Sequence, residues 1–183
     1  MSECPELRTE RLLLRRWSPE DRIAFAAINR DPRVMAFLGA TLSRERSDKL
    51  ADWIEARFET QGFGFWALEA PDVAPFIGMA GLNVPRFEVP FMPAVEVGWR
   101  LDPAYWGSGY ATEAARAALD YAFDVVGLDE VVAFTAQNNA RSRRVMERIG
   151  MTRDMDGDFD HPFMAVGSPL RRHVLYRLHR PER

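Results

Sequence analysis

The chain is expected to fold as a single α/β domain over residues 1–183, and three observations carry that expectation. Apolar residues recur at helical spacing, most clearly at Ala111, Ala114, Ala115, Ala118, Leu119, Ala122, Phe123 and Val126. Between the helical stretches lie short runs rich in aromatic and β-branched residues, bounded by proline-containing turns, and these read as strands. No repeat, low-complexity tract or linker divides the chain.

The elements follow in order. Leu12 to Trp17 reads as a first strand. Ser18 is placed to cap a short helix with Pro19 at its first position and Asp21 three residues on, running to about Asn29. Asp31-Pro32 breaks the pattern. Ser43 starts a second helix in which Leu50, Trp53, Ile54 and Phe58 share a face until Gly62 stops it. The period then changes to that of strands: Phe63 to Glu69, Phe76 to Asn83 and Ala94 to Leu101 predict an antiparallel meander. The alanine-rich helix from Ala111 to Val126 ends at Gly127, and Val131 to Ala136 reads as a buried strand. A short helix follows, capped by Asn139, with Val145, Met146 and Ile149 inward and Gly150 as its stop. Arg171 to His179 alternates as a final strand.

Composition excludes several classes of function. A net charge of -3 argues against a protein that grips nucleic acid through its phosphates. Cys4 is the single cysteine, expected in a frayed N-terminus, so neither a disulfide framework nor a cysteine-based zinc site can form within the chain. The N-terminus lacks the basic-then-apolar order of a signal peptide, and no stretch approaches a membrane span. A cytoplasmic protein with small-molecule or peptide partners is the expectation.

The stretch Ala104 to Phe123, AYWGSGYATEAARAALDYAF, places two glycines ahead of a helix. Gly107 and Gly109 let the backbone curl so that successive N–H groups point at one anion, at the positive end of the helix that follows. Nucleoside triphosphate transfer would need a lysine at the end of such a loop, and none is present. A dinucleotide fingerprint would need a third glycine where Thr112 stands, and would open the fold rather than follow a meander.

The order of a strand, Trp106-Gly107-Ser108-Gly109-Tyr110-Ala111, an alanine-rich helix, a strand and the block NNARSRRVMERIGM resembles the GNAT acetyltransferase superfamily. Trp106, Gly109 and Ala111 match its coenzyme loop, with Trp106 standing where many members carry Arg or Gln. That substitution, with the continuation GYATEA, is similar to the branch of ribosomal-protein N-terminal alanine acetyltransferases. The resemblance implies a mostly antiparallel, splayed mixed sheet of six to seven strands flanked by about four helices. It also implies acetyl-CoA as co-substrate, no metal, and a primary amine as acceptor. A non-catalytic acyl-CoA-binding module of the same fold is the alternative. The state expected is a monomer or homodimer.

By that resemblance Val97, Gly98, Trp99 and Leu101 line the coenzyme arm, and Trp106, Gly107, Ser108, Gly109, Tyr110, Ala111 and Thr112 hold its pyrophosphate. Asn139, Ser142 and Arg148 complete the coenzyme set. Glu96, an acid amid the apolar residues of AVEVGWRL, is the candidate base; otherwise it faces solvent or pairs with Arg100 or another arginine. Ser142 is the candidate donor to the coenzyme sulfur, because Met146 stands where many members place a tyrosine acid. Arg141, Arg143 and Arg144 crowd the same helix as Arg148, one or two of them suited to the adenosine end. The acceptor is expected against the first helices, the strand around Trp66 and the loop DMDGDFDHPFMAVGSPLRRH. Asp158, Asp160 and His161 in that loop read as turn formers rather than metal ligands.

Overall fold

The computed structural model describes residues 5–182; Cys4 lies outside them. Strands β1 (Leu7–Arg8), β2 (Leu13–Arg15), β3 (Phe65–Ala70), β4 (Ala74–Asn83), β5 (Glu96–Leu101), β6 (Glu130–Ala136), β7 (Thr152–Asp160) and β8 (Arg172–His179) form one sheet. Its order is β1-β2-β3-β4-β5-β6-β8-β7. Every pairing is antiparallel except β5 with β6, which meet in parallel at Glu96 and Val132. The helices are α1 (Asp21–Arg30), α2 (Pro32–Met35), α3 (Arg44–Gln61), α4 (Tyr110–Tyr121) and α5 (Ala140–Arg148).

The local chemistry of the chain explains most boundaries. The Ser43 side chain accepts from the Arg46 N–H and starts α3, and Gly62 ends it in the left-handed conformation. The alanine stripe of α4 lets the helix lie close on β4 and β5, with Ala114, Ala115 and Ala118 fully buried. Its last turn, Ala122–Val126, widens into a π-helical turn before Gly127. The core centres on Trp66, whose ring meets Phe58 of α3 at 5.6 Å and Tyr121 of α4 at 5.3 Å, both edge-on. Truncating such a fully buried aromatic to alanine costs about 3–5 kcal/mol.

Four expectations need correction. Helix α1 begins at Asp21, not Pro19, and the cap runs backwards: the Asp21 carboxylate accepts from the Ser18 N–H at 2.7 Å. The Asp31-Pro32 break contains a helix of its own, since Asp31 caps Arg33 and proline fits the first turn. Among the described residues the sheet has eight strands rather than six or seven, and five helices flank it. The expected acceptor loop is largely a hairpin, with Thr152–Asp160 as the edge strand β7. An edge strand keeps charges to discourage further pairing, so it carries no apolar alternation to read.

Candidate active site

The site begins where the sheet forks. Beyond Glu96 and Val132, β5 and β6 register no further pairs, so one edge of β5 has no strand partner there. Trp99 and Leu101 of β5 line a cleft of about 390 Å³ beyond this apex. Trp106, Gly107, Gly109, Tyr110, Ala111 and Thr112 form another part of its wall, and Asn139, Ser142 and Arg148 a third. Sequence reasoning had picked out all eleven residues, and the fold gathers them. Val97, Gly98, Ser108 and Glu96 do not line the cleft. Val97 is buried, and the Ser108 carbonyl accepts from Arg11. Gly98 lies beneath Phe65, where an added Cβ would sit 3.1 Å from the ring.

The loop is built as its glycines require. Gly107 and Gly109 have φ of 80° and 85°, and α4 starts immediately after them without a side-chain cap. The opening N–H groups of α4 are thus left for an anion. The Trp106 indole donates to the Leu101 carbonyl at 3.0 Å, and the Arg141 guanidinium lies 4.1 Å from its ring centroid. A cation therefore stands at the loop although the loop carries none itself. Arg33, Arg100, Arg141, Arg144 and Arg148 all line the cleft and no carboxylate does, which suits a polyanion such as coenzyme A. Arg143 is used elsewhere, bonding the Gln137 carbonyl and the Tyr176 hydroxyl.

Six further residues escape sequence reasoning. Arg33, Val34, Phe37 and Leu38, in and after α2, line the cleft opposite the loop. Their signal was hidden by reading Asp31-Pro32 only as a break. Arg11 braces the loop: its guanidinium donates to the Ser108 carbonyl at 2.9 Å and to Glu113 of α4 at 2.7 Å, and lies over the Tyr110 ring. Thr9 donates to the same Glu113 carboxylate at 2.6 Å. These contacts cross about half the chain, and no local pattern announces them.

The catalytic candidates differ in their surroundings. Glu96 is half-buried and accepts from Asn83 Nδ2 at 2.7 Å, directly across β4. Burial pushes its carboxyl up to about 7, against the opposing pull of that hydrogen bond. It pairs with no arginine: Arg100 instead donates to Asn29 Oδ1 at 2.5 Å, and burial lowers Arg100 to about 10. Asn139 is buried, holding Thr135 Oγ1 at 2.9 Å and capping α5 at the Ser142 N–H. Its amide also donates to Ser142 Oγ at 3.2 Å, which leaves the Ser142 hydroxyl proton free to donate elsewhere. Met146 is buried in the core.

Asp158 and Asp160 serve the hairpin. Asp158 pairs with Arg153 and accepts from the Leu175 N–H, while Asp160 pairs with Arg171 and Arg172. His161 packs 4.7 Å from His173 among Phe87, Phe134 and Phe159, and burial together with His173 lowers it to about 4. Among the described residues no helix is long and apolar enough to cross a membrane.

A forked sheet, a glycine loop running into an uncapped helix and an arginine-lined cleft are together the build of a coenzyme-dependent acyltransferase. Residues 11–152 match the Acetyltransferase (GNAT) domain model. The chain is 34% identical over 81% of its length to the FsC-acetyl coenzyme A-N(2)-transacetylase of Aspergillus fumigatus, covering 65% of that protein. Among solved structures, an acetyltransferase from Agrobacterium tumefaciens is 31% identical, with a TM-score of 0.77 over 96% of this chain and 95% of that one. The ribosomal-protein-S5-alanine acetyltransferase from Vibrio fischeri shares the fold at 19% identity, with a TM-score of 0.72 over 96% of each chain. The protein belongs to the GNAT acetyltransferase family: it is an N-acetyltransferase that uses acetyl-CoA as co-substrate and an amine as acceptor.

Proposed function

We propose that the protein acetylates a primary amine, a peptide N-terminal α-amine or a small amine, by direct attack on acetyl-CoA in a ternary complex. The observation that carries this reading is the arginine-lined cleft beyond the point where β5 and β6 part, with the Glu96 carboxyl at that point. When bound, acetyl-CoA supplies the activated acetyl group as a thioester. The chain's own groups do the rest. The Gly107–Thr112 loop and the cleft arginines hold the phosphates. The edge of β5 that has no strand partner beyond Glu96 offers a backbone N–H as the oxyanion donor. Glu96 takes the proton that the attacking nitrogen loses, directly or through water, as the N–C bond forms and the C–S bond breaks. Ser142 Oγ–H donates a hydrogen bond to the departing thiolate. Asn139 fixes the orientation of that hydroxyl by donating to its oxygen.

An α-amine, with a pKa of about 7.7–8.0, loses its proton to such a carboxylate more readily than a lysine at about 10.4. This favours an α-amine, such as a peptide N-terminus, over a lysine side chain. The test is a thiol-release assay over a panel of peptides and small amines, with products read by mass spectrometry. Turnover with acetylation at an amine nitrogen is expected. Tight acetyl-CoA binding with no turnover of any amine would instead identify a non-catalytic acyl-CoA-binding module.

A further inference from the structure

One face of α3 carries an arrangement that the coenzyme site does not use. Trp53, Arg57 and Gln61 follow one another at four-residue intervals, so they share a helix face. Each has a buried polar atom without a partner: Trp53 Nε1, Arg57 Nε and Gln61 Oε1. Arg86 reaches in from the connector after β4, and its guanidinium lies 4.3 Å from the Trp53 ring centroid. Arg57 lies 4.9 Å from the same ring. Two guanidiniums thus share one indole, and among the described residues no carboxylate pairs with either. Burial, and after it the charge of Arg57, lowers the Arg86 pKa.

Two like charges held together without a counter-ion cost free energy unless something anionic arrives to satisfy them. The carboxylates nearby on α3 are committed elsewhere, Glu55 and Glu59 to Arg16 and Asp52 to Arg22. The pair is linked to the candidate base along the chain, through Asn83. Arg86 is three residues beyond Asn83, whose amide grips Glu96, so their backbones are at most about 10 Å apart. Asn83 Oδ1 is itself buried without a partner.

We propose that Arg57 and Arg86, gathered on Trp53, form an anion subsite for a carboxylate on the amine acceptor. This rests on the amine-acetylation reading of Glu96. The acceptor's amine then lies toward Glu96 while its carboxylate is held by the two arginines. The preferred acceptors are amines bearing a carboxylate, and polycationic amines are disfavoured by the same two charges. Such a carboxylate comes either from a free amino acid or from an acidic side chain near a peptide N-terminus.

The test compares matched acceptors: β-alanine with propylamine, γ-aminobutyrate with butylamine, peptides beginning Ala-Asp with peptides beginning Ala-Asn, and spermidine. A carboxylate bound by a charge-assisted hydrogen bond is expected to raise kcat/KM about tenfold or more over its neutral match, chiefly through KM. The amino-acid and peptide pairs distinguish the two sources. In Arg86→Gln and Arg57→Gln that ratio should fall toward one, and Arg86→Lys should retain part of it. Calorimetry with acetyl-CoA verifies that each variant is folded. A wild-type ratio near one in every pair, or a preference for spermidine, would overturn the subsite and leave the acetyltransferase reading intact. Should no amine turn over, that reading falls, and the subsite is read by titrating tryptophan emission with γ-aminobutyrate and with butylamine. A saturable response to γ-aminobutyrate alone, lost in Trp53→Phe and Arg86→Gln, supports it. No response, or equal responses to both ligands, refutes it.

Discussion

Glu96 and Asn83 face each other across β4 and β5, and their pairing sets what the carboxyl can do. A carboxyl near 7 is a competent base at neutral pH, with part of it protonated. Activity should therefore rise as pH increases through about 7, because the ionised form accepts the proton. Glu96→Gln should remove that limb and lower kcat by roughly 10²–10⁴ if proton transfer limits the rate, as pH profiles of thiol release would show. The same residue bears on stability. Its folded pKa lies above the ordinary 4.5, so its favourable contribution is fully present below about 4.5 and is lost as pH rises through about 7. Relative to wild type, Glu96→Gln should gain stability between pH 5 and pH 8, measured as a shift in denaturant midpoint.

At the scale of elements, the loop before α4 was legible because its chemistry is local. Glycines followed at once by a helix announce a left-handed turn into an uncapped helix from a few residues of sequence. Asn139 and the gathering of Ser142 and Arg148 with the loop were legible for the same reason, through the spacing of the family block. Glu96 was visible as an acid out of place, yet its partner was not, since Asn83 comes from a register that no local pattern encodes. Strand β7 was hidden because Thr152–Asp160 carries acids where alternation would show, and α2 because proline reads equally as a break and as a first turn. The loop itself can be tested at one atom. A Cβ on Gly107 would meet nothing within 4 Å, so Gly107→Ala probes the backbone alone. The left-handed conformation at φ 80° should cost about 1–2 kcal/mol, and calorimetry should show weakened acetyl-CoA binding.

Across the whole molecule, charge is distributed against its sum. The chain is net negative, yet its cleft presents five arginines and no carboxylate. The field that draws in a polyanion is therefore local and open to screening. Acetyl-CoA affinity should fall several-fold between low and high salt, whereas a pantetheine fragment lacking the phosphates should bind with little salt dependence; titration calorimetry at two ionic strengths separates them.

The brace formed by Thr9, Arg11 and Glu113 gives the molecule one further property. It ties the coenzyme loop to the start of the chain across 102 residues of sequence. Whatever peels residues 9–11 away slackens the loop's hold on its ligand. By thermodynamic reciprocity, a filled loop pins the N-terminal strand to the sheet by the same free energy. Residues 9–11 and a filled cleft thus hold one another in place.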